Sequence, residues 1–578
     1  MKRKGEVRRV ITRLVHGGHA IVDSAPNLDE ATAAGAIRLS EVVQEPALAD
    51  ADVKEELEIV GVTDFDYLFR DTVTDPANRL PAANEAEVAS TVAALNALGE
   101  AMIDQEPPAD DRSCPIPPVY TYWGQFIDHD LTAATDNDDK ISIRDEALPP
   151  LDPSEVVGLL KNARNPALNL DSVYGDGPFA PEPPEGAVRV PYQAQDKAKL
   201  EVGSIIPVPI GVRIPPADDL ARDLPRIDRV PQIGDARNDE NLVVAQLHLA
   251  FLRFHNAAVD WVRRHEPERT GVGQVFLRAR DLTRWTYQWL CIHDYLTTVT
   301  LPETVDLVLG NDDDDLLGLA DRKVPYMPLE FSVAAFRFGH SMVRGSYDWN
   351  RNFGRPGNNT QPLASFAQLF QFTGRGGFAG GADRLPGNWP IEWNRFVDRD
   401  SLFADRFARR IDTHLALPLS QMINQVDDET LPERIQTLLK NLARRNLLRG
   451  FRLALPTGQA VAAELGIPAL TPQQLTRNVN PAIVQALEAG NFLERTPLWF
   501  YVLRESERNA QGDTLGAVGS RIVAETIIGQ IRHDPTSYLN QSSWSPSAGV
   551  RLPDGSPIRT IGDFLRFAGG STNVARTG

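Results

Sequence analysis

Residues 122–132 read Tyr122-Trp123-Gly124-Gln125-Phe126-Ile127-Asp128-His129-Asp130-Leu131-Thr132. On a helix, successive side chains point about 100° apart, so Asp128, His129 and Asp130 face three different ways. Gln125 stands four residues before His129 and shares its face. One turn can thus offer a histidine and a glutamine to one cavity and two carboxylates to two other partners. Only ten of the 578 residues are histidine, so each neighbourhood can be weighed individually. Taken alone, this stretch also fits a core histidine flanked by solvated acids.

Three further clusters lie downstream. Gly234-Asp235-Ala236-Arg237-Asn238-Asp239-Glu240 precedes the apolar run Leu242–Val262. Arg237 and Glu240 are three apart and project together at a helix start, where an acidic turn would also be stabilised by the helix dipole. Phe336-Arg337-Phe338-Gly339-His340 again places Arg and His on one side, with a glycine that lets a planar ligand approach the backbone. Asn441-Leu442-Ala443-Arg444 lies inside the apolar-periodic run 433–450, where an interior asparagine commonly has a side-chain partner. His248 and His255 share one apolar stretch and read as structural. His16, His19, His265, His293, His414 and His533 carry no motif.

Around these clusters the chain is predominantly helical. Apolar residues recur at helical spacing in 87–103, 238–264, 275–299, 405–424 and 433–450, with few alternating strand-like runs. Pro-rich stretches at 107–118, 148–153 and 178–186 read as long loops. The first 60 or so residues form a separate lead-in, basic and then Ala- and acid-rich, read as a solvated helical extension or a segment that touches a surface. The run NDDDD at 311–315 lacks the spaced ligands of a calcium loop and reads as a solvated turn. Lys plus Arg total 59 and Asp plus Glu total 78, giving a net charge of −19. That argues against nucleic acid as a partner. Two cysteines, Cys114 and Cys291, cannot make a disulfide scaffold, and whether they pair is open. No run approaches a membrane span, and no apolar signal-peptide core follows the basic start. The expectation is a protein that is cytoplasmic or exported by a non-classical route.

The joint order of the clusters, Gln-x-x-Asp-His-Asp, Asp-x-Arg-x-x-Glu, Arg-x-x-His and Asn-x-x-Arg, resembles the animal-type haem peroxidases of the peroxidase–cyclooxygenase superfamily. The resemblance runs from about residue 60 to 570. It implies a mainly α fold: an N-terminal extension over 1–60, then one large haem peroxidase domain over 61–578, with few short strands and long Pro-rich loops. The scarcity of cysteine and the lack of appended modules suggest a stand-alone microbial member.

The resemblance also implies roles. His129 would be the distal histidine, Arg237 the distal arginine, and Gln125 would hydrogen-bond a distal water or halide. His340 would be the axial ligand of the haem iron, with Asn441 bonded to its other ring nitrogen. Arg337 and Arg444 would hold the haem propionates. Asp128 and Glu240 occupy the positions that form ester links to haem b, so covalent attachment is expected. Asn241 stands where some members have a methionine, so a sulfonium link is not. Asp130 matches a calcium ligand, and Asn165, Ala167, Asn169 and Asp171 would complete the Ca2+ site. One carboxylate in that set stands two residues from its usual place.

The implied function is reduction of hydrogen peroxide and oxidation of a small electron donor (halide, pseudohalide or phenol) through a ferryl intermediate. Two other readings compete. A fatty-acid dioxygenase of the same superfamily would have a tyrosine where Arg337 stands. A non-enzymatic adhesion or scaffold protein would be free to lose His129 or Arg237, and both are present.

Overall fold

The computed structural model describes residues 63–569 apart from 106–111, 134–141, 145–146, 163, 176–189, 208–219, 311–315, 320–321, 323, 355–361, 375 and 423–431, together with three strands of the lead-in. Those strands, β1 (Arg9–Arg13), β2 (His19–Asp23) and β3 (Ile37–Leu39), form an antiparallel sheet in the order β2-β1-β3. These described pieces of the lead-in are therefore strand, not the helix read from its composition. The run at 311–315 and the Pro-rich stretch at 178–186 lie outside the described residues.

The rest is mainly α, as expected. Two long helices form the spine: α3 (Leu242–His265), held at its start by the Asn241 side chain accepting from Val244 N, and α4 (Val272–Leu290). By length and apolarity α3 could cross a membrane, but its apolar window is 83% buried within the fold, as befits a core helix. α2 (Val119–Leu131) lies against this pair. Its inward face supplies Trp123 and Phe126, which meet Phe251 of α3 and Tyr287 of α4. Phe126 and Phe251 stack at 4.3 Å, and the C-terminal helix α7 (Ile561–Phe567) adds Phe564 to the cluster. Burying an aromatic side chain of this size stabilises by about 2–3 kcal/mol, so α2 is fixed by the face that carries no chemistry.

α1 (Glu85–Ala101) packs closely against α6 (Leu442–Arg452): a Cβ at Gly99 would sit 2.8 Å from the Arg444 backbone nitrogen. Among the described residues, sheet is limited to small pieces. The largest of these beyond the lead-in is β4 (Thr63–Asp66), paired antiparallel with β5 (Lys161–Asn162) and parallel with β6 (Tyr326–Pro328).

Two helical expectations fail in detail. Segment 405–424 forms only short 3-10 turns, at Ala404–Arg406 and Leu417–Ser420. Its backbone donors go to other segments instead: Ala408 to Ile116, Arg409 to Met342, Ile411 to Gly512 and Leu415 to Met102. The run 433–450 is two helices, α5 (Glu433–Lys440) and α6, because Asn441 takes an extended conformation and caps α6. Cys114 and Cys291 are both buried free thiols, so they do not pair.

Candidate active site

The face of α2 opposite the aromatic cluster lines the main cavity, which encloses about 1870 Å³ with its mouth included. Thr121, Gln125, Asp128, His129 and Thr132 reach it at helical spacing from this one helix. A 3-10 turn, Ala236–Asp239, started by Asp235 accepting from Arg237 N, brings Arg237 and Glu240 to the same cavity. Another part of the lining is irregular. A π-helical turn, Glu330–Ala334, runs into a 3-10 helix, Ala335–His340, which presents Phe336, Arg337, Gly339 and His340. α6 closes that side with Arg445, Asn446 and Arg449.

His129 Nδ1 lies 2.8 Å from Asn238 Oδ1. Asn238 Nδ2 in turn lies 2.9 Å from His248 Nδ1. Arg237 donates from Nη2 to the carbonyls of His129 (2.9 Å) and Thr132 (2.6 Å), and from Nε and Nη2 to Asp235. Burial alone would raise the Asp235 carboxyl, but the guanidinium groups of Arg237 and Arg164 hold it well below the usual carboxylate range. Arg237 is therefore a fixed cation, with Nη1 making no hydrogen bond among the described residues. Gln125 donates to Glu240 at 2.5 Å and accepts from Asn241 Nδ2 at 3.0 Å, which ties the glutamine to one of the two cavity carboxylates.

Elsewhere on the lining, burial and then the charges of Arg337 and Arg445 push His340 down to about 3, so its ring is neutral at physiological pH. Its Nδ1 lies 2.8 Å from Asn446 Nδ2, and its Nε2 has no protein hydrogen bond. With the Asn446 amide turned over, Oδ1 would accept the Nδ1–H and leave the Nε2 lone pair for a metal, an orientation that a bound metal selects.

The structure corrects two residues. Asn441 does not reach His340; its side chain accepts from Arg444 N as the cap of α6. Arg444 points to α1, where it pairs with Glu100 at 2.8 Å. Asn446 meets His340 instead, and Arg449 lines the cavity. Asn446-Leu447-Leu448-Arg449 repeats the Asn-x-x-Arg spacing five residues on, and only the break at Asn441 decides between the two registers. Asn238, Arg445 and the link to His248 were also missed, for want of any spacing signal.

Asp130 points away from the cavity. Its carboxylate accepts from Leu170 N, Ser172 N and Ser172 Oγ at 2.9–3.1 Å. Burial, and then the Asp171 charge, raise it to about 6. The intervening loop bends through Leu168 and Leu170, both left-handed (φ 53° and 66°). Two of the expected oxygen donors already accept bonds: Ala167 O from Gln288 and Asn169 Oδ1 from Asp171 N. Among the described residues no three His, Cys, Asp or Glu side chains form a metal cluster.

Residues 211–375, which carry Arg237, Glu240, Arg337 and His340, match the family model described as animal haem peroxidase. Over this stretch the chain is similar to the animal haem peroxidases. Curated relatives include a peroxidase-like protein of Margaritifera margaritifera, 25% identical over 284 residues, covering 42% of this chain and 33% of that one. Human thyroid peroxidase is 27% identical over 187 residues, 30% of this chain and 19% of that one. The matches thus span a third or less of these relatives' length. Among solved structures, Peroxidase A of Dictyostelium discoideum superposes with a TM-score of 0.52 at 16% identity, over 89% of this chain and 94% of that one. A fatty acid alpha-dioxygenase of Oryza sativa does so with a TM-score of 0.50 at 13% identity, over 88% and 78%. The fold is the one these two proteins share.

Proposed function

We propose that the chain is a haem peroxidase that reduces hydrogen peroxide and oxidises a small donor such as a halide, pseudohalide or phenol. The observation that carries this reading is a pair of imidazoles, His129 and His340, lining one cavity, each with Nδ1 against an asparagine side chain. The cavity fits haem. Gly339 beside His340 has open space where a Cβ would stand. Arg337, Arg445 and Arg449 offer cations for propionates, and Asp128 and Glu240 lie on the lining where ester links would form. His340 would hold the iron. When bound, haem would supply the redox-active iron that peroxide reduction needs.

The chain's own residues do the proton work. His129 would take the proton from one peroxide oxygen and return it to the departing one. Arg237, held rigid by Asp235, stabilises the charge that develops on that oxygen. Calcium, if bound, would sit between Asp130 and Asp171, whose mutual repulsion a cation removes. It would tie the end of α2 to the 165–171 loop and so hold His129 in place. The dioxygenase reading rests on fold likeness alone, and Arg337 stands where its tyrosine belongs. Steady-state oxidation of iodide and of a phenol by the haem-loaded chain, with His129→Ala and His340→Ala alongside, tests the proposal. Loss in both variants supports it. Oxygen uptake with a polyunsaturated fatty acid and no peroxide turnover would replace it with the dioxygenase.

A further inference from the structure

His248 is a buried histidine that the proposed mechanism does not use. It is fully enclosed on α3, and burial lowers it to about 3, so the ring is neutral. A neutral imidazole carries one N–H and one lone pair. Its Nδ1 meets Asn238 Nδ2 at 2.9 Å, while its buried Nε2 has no hydrogen-bond partner among the described residues. Asn238 is itself fully enclosed, and its Oδ1 faces His129 Nδ1 at 2.8 Å. One buried amide thus bridges the Nδ1 atoms of two imidazoles.

The chemistry of that bridge is restrictive. A primary amide offers an acceptor at one end and a donor at the other. It can satisfy one Nδ1–H and one Nδ1 lone pair, but not two of either. We infer that Asn238 couples His129 and His248 in opposite tautomers, with His248 a positioning residue that keeps the Nε2 lone pair of His129 turned to the cavity. In the arrangement the structure adopts, His129 Nδ1–H donates to Asn238 Oδ1 and Asn238 Nδ2–H donates to His248 Nδ1. The remaining proton of His248 is then on Nε2. If the amide turns over, both tautomers reverse, and His129 presents Nε2–H to the cavity in place of a base.

The bridge also has a place in the fold. Asn238 sits in the same 3-10 turn as Arg237, so the turn that delivers the guanidinium also sets the imidazole. His248 stands on α3, clear of the cavity lining, so changing it alters neither haem contacts nor peroxide contacts directly. Arg237 bonds the carbonyl of His129, while the contact of its Nδ1 is with Asn238. The tautomer inference stands on the hydrogen-bond geometry at Asn238, with the neutrality of the enclosed His248 ring beside it. Its consequence for turnover rests on the peroxidase reading, and the test separates the two.

The test uses the full chain labelled with 15N-histidine, with and without diamagnetic zinc protoporphyrin, and reads ring nitrogen shifts. His129→Ala and His248→Phe assign the signals. The expected result is His129 with Nδ1–H and His248 with Nε2–H, each favoured about tenfold, as one buried hydrogen bond would do. In His248→Phe, which cannot accept from Asn238, the His129 preference should collapse. In His248→Gln, whose amide oxygen can accept, it should return in part. With haem in place of the zinc porphyrin, His248→Phe should bind haem normally but react with peroxide about tenfold more slowly. The same tautomer at both rings, or an unchanged His129 spectrum in a folded His248→Phe, overturns the coupling whatever the activity. Opposite tautomers in a chain that ignores peroxide would leave the coupling standing and remove the peroxidase reading.

Discussion

Asp235→Asn is the substitution whose outcome follows most directly from the structure. The carboxylate is about 1% exposed and binds two guanidinium groups, Arg237 at 2.6 Å and Arg164 at 2.5 Å; the Arg side chains are 11% and 6% exposed. Removing the charge leaves two buried cations facing a neutral amide. Breaking a buried pair from one side costs about 3–5 kcal/mol. For a chain of 578 residues the unfolding entropy is roughly 1.2 kcal/mol/K, so Tm should fall by about 3–4 °C. Arg237 keeps its bonds to the carbonyls of His129 and Thr132 but loses its bidentate anchor. The peroxide reaction should therefore slow by about 10–100-fold, less than the full loss of a charge-stabilising donor.

Asp348→Asn is the matched control. That carboxylate is buried between Arg395 and Arg406 and lies outside the cavity lining. It should lower Tm comparably and leave the peroxide reaction intact. Calorimetry and stopped-flow absorbance on both variants read the two effects. Equal slowing in both, or no loss of Tm in Asp235→Asn, would refute the reasoning. The pH dependence has a definite sign. Asp235 has a folded value below its unfolded one, so its contribution is complete above the usual carboxylate range and is lost only as pH falls below it. Asp235→Asn should accordingly flatten acid unfolding below about pH 4.

Further outcomes follow. Asn446→Ala should weaken haem retention and shift the iron reduction potential, whereas Asn441→Ala should cost about 1 kcal/mol of stability as a lost helix cap and leave the potential unchanged. His129→Ala should slow the reaction with peroxide by about 10²–10⁴-fold while haem binding stays normal. Acid–organic extraction should leave haem attached to the wild-type chain, and release it fully only when both Asp128 and Glu240 are replaced. Calcium should raise Tm at neutral pH and chelation lower it; an unchanged Tm would show that Asp130 serves only as the hydrogen-bond acceptor for Leu170 and Ser172.

The parts of the site legible in the sequence are those carried by local periodicity. Gln125, Asp128 and His129 share a helix face, and Arg237 with Glu240, or Arg337 with His340, share a turn, so spacing alone placed them together. The errors came where spacing is degenerate or where partners are remote. Asn441 and Asn446 each begin an Asn-x-x-Arg, and only the extended backbone at Asn441 reveals which of them faces His340. Segment 405–424 has helical periodicity, but its backbone donors are taken by four distant segments, which no local pattern records. His248 resembles any core histidine in sequence; its link to His129 runs through Asn238, 109 residues from His129 along the chain.

The central claim is most directly tested by the absorption spectrum of the haem-supplemented chain before and after one equivalent of hydrogen peroxide. The account predicts that a Soret band is present, shifts within the mixing of peroxide, and returns on addition of iodide or a phenol, with the shift slowed by orders of magnitude in His129→Ala. A chain that binds no haem, or binds it and leaves the band unmoved by peroxide, would contradict it.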